Sequence, residues 1–355
     1  MGKNKKNGAA PRKKRRRSAK KVAWWELLLL ILLGLFLASA VLGALYVKNK
    51  LNKIHYAQPI QEPAGAEETP APADAPDPFA GEDELPEMEG LEHVEENTVP
   101  EGETFSDRNV LNILLMGTDY PYNSSDRGRA DSIMILSLDF RDYSASLVSL
   151  ERGMGVPILS GKYSGQWDWL THLHHYGGPE MMLETIRWCF KLDLERYAEV
   201  DFTGFRNVID ALGGIDVELS DAEAWKLGLR TGWNHLDGEA ALSFARLRSI
   251  DSDWIRVTRQ RRVIQACVNG VRDADLRTLD RLADAVLPLI TTNLTQSEIL
   301  SLMTKLPAFR GVQLRQMTIP APGTYGGMTV MGGRGSFAPD FEENTRILRE
   351  FIYGQ

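Results

Sequence analysis

The sequence contains little cysteine and, over its last two thirds, little lysine. Its 355 residues include only two cysteines, Cys189 and Cys267, which excludes a fold held together by several disulfides and a metal site built on paired cysteines. Both cysteines lie in helical patterns with apolar neighbours, which favours buried free thiols, although the sequence leaves their pairing open. Residues 109–355 carry 26 bases and 31 acids, so they lack the broad positive field of a nucleic-acid-binding protein. Of those bases 22 are arginine and four are lysine, which favours specific recognition of an anion.

A long run without charge lies near the N-terminus. Residues 1–21 carry eleven lysines and arginines and no acid, and Leu27–Val47 then has no charged residue. At about 1.5 Å per residue, this run covers a hydrocarbon core of roughly 30 Å. The sequence therefore predicts a transmembrane helix within residues 22–47 and a cytoplasmic basic tail at residues 1–21. A cleaved signal peptide is the alternative, but the apolar run continues past its candidate cleavage site.

The next segment is acidic and rich in proline. Between Ala57 and Arg108 the chain has sixteen acids, one base and few large apolar residues that could form a core. We therefore expect residues 48–108 to form a disordered linker that self-repulsion keeps extended. Residues 109–355 then form an extracellular domain, because the basic tail places the N-terminus in the cytoplasm.

Strand and helix patterns alternate through this domain. Apolar runs predict buried strands at Val110–Met116, Ile133–Leu138, Ala145–Leu150, near Val200, Ile215–Leu219 and Met317–Ile319. Helical patterns occur at Pro179–Phe190, Phe205–Leu212, Glu239–Leu247, Trp254–Val271, Leu276–Leu289, Gln296–Leu306 and Phe341–Ile352. This order predicts a three-layer α/β domain with a central mixed sheet, preceded by one transmembrane helix.

Arginines are concentrated in the stretch Ala241–Arg262. The six are Arg246, Arg248, Arg256, Arg259, Arg261 and Arg262. Because a guanidinium group binds phosphate oxygens with two parallel donors, this density suggests a polyanion site. Two of these arginines, Arg256 and Arg259, share one helical face with Gln260. A solvated helix surface is the alternative, since charged runs on helices are usually exposed.

Two aspartates lie at the ends of adjacent predicted strands. Asp119 ends the first strand in the sequence GTD, and Asp131 opens the next in RGRAD. Magnesium is commonly held by one or two carboxylates together with substrate phosphate and water, so the pair is a candidate Mg²⁺ site. The alternative is that each aspartate makes a turn or caps a backbone N–H.

A series of sequence blocks resembles the LytR-CpsA-Psr family. The blocks are ILLMGTD, RADSIMILSLD, LVSLERG, LTHLHHYGG, YAEVDFTGF, VIDALGGIDVEL, LDGEAALSFARLR and RQRRVI, over residues 109 to about 270. The resemblance implies a membrane-anchored phosphotransferase that uses Mg²⁺. Its substrates would be an anionic glycan, of teichoic acid or capsule type, on a polyprenyl pyrophosphate carrier, and peptidoglycan as the acceptor.

The resemblance also implies roles for individual residues. Asp119 and Asp131 match the metal-binding carboxylates. Arginines that match those contacting the pyrophosphate are Arg129, Arg152, Arg246, Arg248 and Arg256, among which we expect Arg152, Arg246 and Arg248 to be catalytic. Arg259 and Gln260 match the family's substrate-binding RQ pair. Asp201 matches a family position whose role is less certain, and a structural hydrogen bond is the open alternative for it. His172, His174 and His175 are candidates for a metal ligand or a base, and packing or a structural hydrogen bond is the alternative for them.

The chain departs from the family pattern beside Arg152. Where the family usually has Pro-Arg-Asp, this chain has Glu151, Arg152 and Gly153, so the carboxylate after the arginine is missing. We expect a different acid to orient the arginines, with Glu151 as the nearest candidate in sequence. Two other functions stay open, a polyprenyl-pyrophosphate hydrolase and a non-catalytic protein that binds lipid phosphate in the cell envelope.

Overall fold

The computed structural model describes residues 45–57, 79, 91–95, 97–119, 128–247, 253–273, 276–309 and 312–354. Its strands are β1 (His55–Tyr56), β2 (Val110–Thr118), β3 (Ala130–Asp139), β4 (Ala145–Leu150), β5 (Gly155–Pro157), β6 (Trp167–Trp169), β7 (Arg196–Asp201), β8 (Ile215–Leu219), β9 (Gly232–Leu236), β10 (Ile290–Thr292), β11 (Arg315–Ile319), β12 (Tyr325–Thr329) and β13 (Gly335–Pro339). Its helices are α1 (Leu170–Phe190), α2 (Phe202–Leu212), α3 (Asp221–Leu227), α4 (Gly238–Ala245), α5 (Asp253–Asp273), α6 (Leu276–Val286), α7 (Gln296–Lys305) and α8 (Phe341–Tyr353). Residues 45–51 are also helical.

Seven of the described strands form one sheet, in the order β1-β10-β7-β2-β3-β4-β11. The central strand β2 is parallel to β7 and antiparallel to β3, while β4 is antiparallel to β3 and parallel to β11. The nine residues of β2 are almost continuously apolar, which is typical of a strand covered on both faces. The predicted α/β domain with a mixed central sheet is confirmed.

Helices pack on both faces of this sheet. Ile133 and Ile135 of β3 are buried in the main hydrophobic core together with Leu170 and Leu173 of α1. Met134, between the two isoleucines, lines a groove that α2 and α5 also border. Because successive side chains of a strand point to opposite faces, these contacts place helices on both sides of the sheet. The sheet is thus the middle of three layers.

A second core lies beneath the hairpin of β8 and β9. The inward residues Ile215, Val217 and Leu219 of β8 pack there with Phe244 of α4 and Val263 of α5. Strand β8 was predicted, but it pairs with β9 in a separate two-stranded sheet and does not join the central one. This smaller sheet, with α2 to α5, forms a lobe beside the central sheet. It determines where the arginine-rich helix α5 lies.

The predicted transmembrane segment falls largely outside the described residues. Residues 22–44 of that prediction, and the basic tail at residues 1–21, belong to this undescribed part. None of the described helices combines the length and the apolar character that crossing a bilayer requires.

The last part of the predicted linker packs against the domain. The backbone N–H of Val94 donates a hydrogen bond to the carbonyl of Gly327 at 2.7 Å, and that of Phe105 donates to the carbonyl of Lys191 at 2.8 Å. Strand β1, from the start of the same segment, pairs with β10 in the central sheet. Described residues on both sides of the predicted boundary at residue 108 therefore make contacts with the domain. A few apolar side chains and backbone hydrogen bonds fix these residues despite their acidic composition.

Candidate active site

Two carboxylates lie at the same end of neighbouring strands. Asp119 follows β2, and Asp131 is the second residue of β3, whose first residue pairs with Thr118. The Oδ1 atom of Asp119 accepts a hydrogen bond from the Arg129 backbone N–H at 2.7 Å, and the Asp119 N–H donates to the Arg129 carbonyl at 3.3 Å. Gly128, with φ 61°, has a backbone conformation that favours glycine and leads the chain back into β3. The backbone therefore fixes both carboxylates at one edge of the sheet.

The two carboxylates interact electrostatically. Burial raises the pKa of Asp119, and the negative charge of Asp131 raises it further, while the Arg129 N–H and His174 oppose the rise. A divalent cation would relieve this repulsion. Among the described residues no group of three or more His, Cys, Asp and Glu side chains could hold a metal, so an ion would depend on this pair and on ligand oxygens. That donor set fits Mg²⁺, which commonly uses one or two carboxylates and substrate phosphate.

Each carboxylate is paired with an arginine. Arg129 Nε lies 3.6 Å from Asp119 Oδ2, and Arg152 Nη1 lies 3.6 Å from Asp131 Oδ1. All four side chains are largely buried, with the Arg152 side chain only 9% exposed. Carboxylates and guanidinium groups thus lie side by side in a place partly shielded from water. Such an arrangement can hold a metal ion and an anion next to each other.

Arg152 has a carboxylate partner although no carboxylate follows it in the sequence. Strand β4 ends at Leu150, and the chain turns at Arg152 and Gly153 before β5 begins. Glu151 is fully buried, and together with burial its charge raises the pKa of Tyr325. Arg152 pairs with Asp131 on the adjacent strand β3. An acid on a neighbouring strand therefore supplies a partner that the local sequence lacks.

The arginine-rich stretch separates into two environments. Arg246 ends α4, is exposed, and lies with its guanidinium carbon 4.4 Å from the centre of the Phe202 ring. Gln260 donates a long hydrogen bond of 3.5 Å from Nε2 to the backbone carbonyl of Asp131. Arg256 is buried, with 2% of its surface exposed, and Arg248 lies outside the described residues. Arg246 and Gln260 therefore approach the carboxylate site.

Arg259 is enclosed by protein groups. Its Nε donates to Glu223 Oε1 at 2.9 Å, its Nη1 donates to the Leu247 carbonyl at 2.8 Å, and the side chain is fully buried. Arg262 donates from Nη1 to the same carboxylate at 2.9 Å. Burial favours a higher pKa for Glu223, but the backbone N–H of Ser220 and the two guanidinium groups outweigh it and lower the pKa. The substrate-binding role expected for Arg259 stays a prediction, since these contacts also give it a structural role.

Sequence reasoning missed Glu223 as a partner of α5. Its local signal was the sequence SDAE, because Ser220 and Glu223 form a capping box at the start of α3. That signal predicts a helix start and says nothing about arginines 36 and 39 residues later in the chain. Only the tertiary structure of the lobe brings the carboxylate of Glu223 on α3 to Arg259 on α5.

An apolar groove of about 290 Å³ adjoins the carboxylates. It runs between the sheet and the helices α2, α4 and α5, with Leu115 and Met134 among its apolar walls. Asp131, Arg246 and Gln260 also line it. Asp131 is near the start of β3 and Met134 lies three residues farther along, so the groove extends from the charged site along the sheet. This shape suits a molecule with an anionic head and a hydrocarbon tail.

The histidines and Asp201 have structural contacts. His172 Nδ1 lies 3.0 Å from Asp168 Oδ2, and the His172 ring stacks on Phe79 with 3.8 Å between ring centres. His174 Nδ1 lies 3.3 Å from the Gly128 carbonyl. Asp201 Oδ1 caps α2 by accepting from the Gly204 N–H at 2.7 Å. The open alternative of a structural hydrogen bond thus accounts for Asp201 and for the first two histidines.

Both cysteines are free. Cys189 is buried and Cys267 is partly buried, and burial raises the pKa of both thiols, that of Cys267 to about 11. The two residues therefore do not form a disulfide with each other, which the sequence had left open. A thiol with so high a pKa is inert at neutral pH.

Curated relatives with assigned activities match this chain. It is 33% identical over 210 residues to the polyisoprenyl-teichoic acid–peptidoglycan teichoic acid transferase TagU of Bacillus anthracis, a match that covers 58% of this chain and 67% of TagU. It is 28% identical over 226 residues to the corresponding transferase TagV of Bacillus subtilis, covering 61% of this chain and 58% of TagV.

Solved structures share the fold. The crystal structure of B. subtilis TagV superposes with a TM-score of 0.57 at 24% identity, covering 70% of this chain and 98% of that one. A structure of TagT bound to LI-WTA superposes with a TM-score of 0.56 at 22% identity, covering 69% and 91% of the two chains.

A family model also matches most of the chain. The LytR_cpsA_psr family model matches residues 82–347, a range that includes the paired carboxylates, the arginine-rich stretch and the C-terminal helix α8 as far as its middle. The match begins before residue 91, in agreement with the packing of the segment before β2 against the domain. The chain belongs to the LytR_cpsA_psr family.

Proposed function

We propose that this protein is a phosphotransferase that moves an anionic glycan polymer, of teichoic acid or capsule type, from a polyprenyl pyrophosphate carrier to peptidoglycan. The observation that carries the proposal is the continuity of a charged site with an apolar groove. Asp131 belongs to both and Arg246 lines the groove, so one bound molecule can place its pyrophosphate among the arginines and its hydrocarbon along the sheet. The transferase activity named for the TagU and TagV relatives supports this reading.

In the proposed reaction the chain mainly positions groups and neutralises charge. A hydroxyl of the acceptor glycan attacks the phosphorus next to the donor glycan, a new phosphorus–oxygen bond forms, and polyprenyl phosphate leaves while the hydroxyl proton is released. Arg129 and Arg152 hold the phosphate oxygens beside the carboxylates, and Arg246 approaches from the groove. Charge on the nonbridging and leaving oxygens grows during such a transfer, so fixed guanidinium groups stabilise the transition state.

We include a Mg²⁺ ion in the proposal. Asp119 and Asp131 would hold it, and when bound it would act as a Lewis acid that polarises phosphate oxygens. The raised pKa of Asp119 supports this role, because burial and, to a smaller extent, the charge of Asp131 disfavour the ionised carboxylate, and a cation would offset both effects.

We also propose that the chain is anchored in a bacterial membrane. Residues 22–47 would span the bilayer, with residues 1–21 in the cytoplasm and the domain outside, close to lipid-linked donor and wall acceptor. Protease added to intact cells whose wall admits it should cut within residues 57–90. Protection of the whole chain from added protease, under conditions where a secreted control is cut, would contradict this topology.

The decisive experiment is a transfer assay with a lipid-linked donor, with and without acceptor glycan. A transferase forms the glycan-linked product when acceptor is present. A hydrolase releases phosphorylated glycan at the same rate without acceptor, and a binding protein retains the lipid and gives neither product. Either of the last two outcomes would overturn the proposal.

A further inference from the structure

A second cavity lies on the other side of helix α5 from the apolar groove. It has a volume of about 550 Å³ and lies between the β8–β9 hairpin, α5 and the edge strand β11. Gln260 and Ile264 of α5 line the apolar groove, whereas Gln265 and Asn269 line this cleft. One helix therefore forms a wall of both cavities.

An exposed tryptophan forms part of the cleft. Trp233 of β9 pairs in register with Glu218 of β8 and is 68% exposed. Within the described part of the chain, its indole makes no hydrogen bond or ring contact with another residue. Leaving so large an apolar side chain in water forgoes roughly 2 kcal/mol of burial. An indole held at the side of a polar cleft therefore offers a flat apolar face to a ligand.

Side-chain amides cross the floor of the cleft. Gln265 donates from Nε2 to Asn269 Oδ1 at 3.2 Å, and Gln316 of β11 donates from Nε2 to Gln265 Oε1 at 3.4 Å. Each amide has two donor hydrogens and an acceptor oxygen with two lone pairs, so this row retains both donors and acceptors for a ligand. Neutral groups that donate and accept match hydroxyl and acetamido groups.

The charges that line the cleft balance. Asp216 and Glu218 contribute two carboxylates, and Arg262 and Arg272 contribute two guanidinium groups. Arg262 already donates to Glu223, which reduces its attraction for an anion. Asp216 is likewise engaged, by His235 at 2.8 Å, so the cleft offers a polyanion no excess of positive charge. The cleft therefore favours an uncharged ligand.

We infer that this cleft binds the sugar chain of the acceptor glycan, as a neutral saccharide strand stacked on Trp233 and hydrogen-bonded to the amides of Gln265, Asn269 and Gln316. The C–H face of a pyranose ring packs on the indole, and the ring hydroxyls reach the amides. This inference rests on the proposed function, which requires two glycans of different charge. The anionic donor chain belongs with the arginines, and the cleft holds the neutral strand on the far side of the same helix.

The test measures saccharide binding to the full-length protein in detergent micelles by isothermal titration calorimetry. The probe is a hexamer of β-1,4-linked N-acetylglucosamine, and a glycerol phosphate polymer serves as the anionic comparison. Trp233→Ala should weaken hexamer binding at least tenfold. The matched control is Trp225→Ala, because Trp225 is 76% exposed on the neighbouring helix α3 and is not part of the cleft. Neither change opens a cavity in the core, and equal melting temperatures would verify this.

Three results would overturn the inference. The first is that the hexamer does not bind to the wild-type protein. The second is that both tryptophan variants lose affinity for the hexamer equally. The third is that the glycerol phosphate polymer binds to the wild type and that Trp233→Ala abolishes this binding. Equal loss in both variants, accompanied by weaker binding to phospholipid vesicles, would identify the tryptophans as a membrane contact.

The transfer assay separates this inference from the proposed function. Trp233→Ala should raise KM for the acceptor about tenfold and leave kcat unchanged, with Trp225→Ala like the wild type. If the hexamer binds in a Trp233-dependent way but the protein has no transfer activity, the proposed function is refuted and saccharide binding in the cleft is supported. If Trp233→Ala has the wild-type KM for the acceptor, acceptor binding in the cleft is refuted and the proposed transferase function is unaffected.

Discussion

Arg152 and Asp131 form an ion pair across adjacent strands, with 3.6 Å between Arg152 Nη1 and Asp131 Oδ1. We expect Arg152→Ala to lower kcat of transfer at least about 100-fold, a typical effect of removing one donor that stabilises transition-state charge. Arg152→Lys should recover only a small part, because an ammonium group has no two-pronged geometry. The measurement is donor turnover at saturating acceptor, and wild-type turnover in Arg152→Ala would exclude a catalytic role.

The same ion pair predicts the effect of restoring the family's carboxylate. Because Asp131 already serves Arg152, Gly153→Asp should not raise transfer activity. The backbone carbonyl of Gly153 accepts hydrogen bonds from Phe337 and Ser336 in a buried place, so the variant should also lose stability. Activity that appeared only in Gly153→Asp, with an inactive wild type that binds lipid, would favour the non-catalytic binding protein.

Asp119→Asn should abolish Mg²⁺-dependent transfer without lowering stability at neutral pH. The pKa of Asp119 is raised by burial and by Asp131, so its ionised form destabilises the fold above that pKa. This penalty is absent below the ordinary value of 3.8, where the carboxyl is protonated in both states. Asn keeps the oxygen that accepts the Arg129 N–H, so the melting temperature at pH 7 should be equal or higher.

Mg²⁺ binding can be measured independently of activity. Addition of Mg²⁺ should raise the melting temperature of the wild type, because a ligand of the folded state stabilises it. Asp119→Asn and Asp131→Asn should remove this rise, and Asp216→Asn, in the distant cleft, serves as the control that keeps it. An equal rise in all four proteins would assign the effect to another site.

The arginines of the rich stretch should differ in what they affect. Arg246→Lys should reduce turnover with little change in stability, since Arg246 is exposed beside the groove. Arg259→Ala should lower the free energy of unfolding by about 3 kcal/mol, because it leaves Glu223 buried without one of its partners. Arg248→Lys and Arg256→Lys should also reduce turnover. Unchanged turnover in the Lys variants of Arg246, Arg248 and Arg256 would refute two-pronged phosphate binding. Denaturant unfolding supplies the stabilities.

Stability should decline when the pH falls below about 6.5. Burial lowers the pKa of His172, and although Asp168 opposes this, the folded pKa stays below the ordinary value of 6.5. Below 6.5 the unfolded state therefore binds a proton that the folded state excludes, with a slope of up to about 1.4 kcal/mol per pH unit. Unfolding free energies at pH 7.5, 6.5 and 5.5 should reveal the decline, and His172→Asn should make it shallower.

His235 provides a control of opposite sign. A hydrogen bond to Asp216 raises the pKa of His235, so its stabilising contribution is complete below 6.5 and is lost as the pH rises through the folded pKa. His235→Asn should therefore not make the decline between pH 6.5 and 5.5 shallower, and any change should be toward a steeper decline. If the two variants altered that slope alike, the decline would have another origin.

Patterns along the chain predicted most of the central sheet and its helices. Burial leaves a pattern in the local sequence, because buried positions are apolar. It appears as continuous apolar runs in β2, β3 and β4 and as a 3.6-residue periodicity in α5 and α8. The same patterns placed Asp119 and Asp131 at the ends of adjacent strands. They missed β1, β5, β6 and β10, whose two or three residues are too few to show a period, and β9, β12 and β13, where glycine and polar residues interrupt the apolar alternation. They assigned residues 91–108 to the linker because acidic residues dominate its composition.

Sequence alone determined which residues could bind an anion and a cation, because residue type and strand position fix that chemistry. Only the tertiary structure decided their partners. Asp131 reaches Arg152 because β3 and β4 are antiparallel neighbours, and Glu223 reaches Arg259 because α3 packs on the same lobe as α5. The physical reason is that ion pairs and clefts form between elements that are distant in sequence. The packing of the whole domain sets the distances between these elements, and no local sequence pattern encodes that packing.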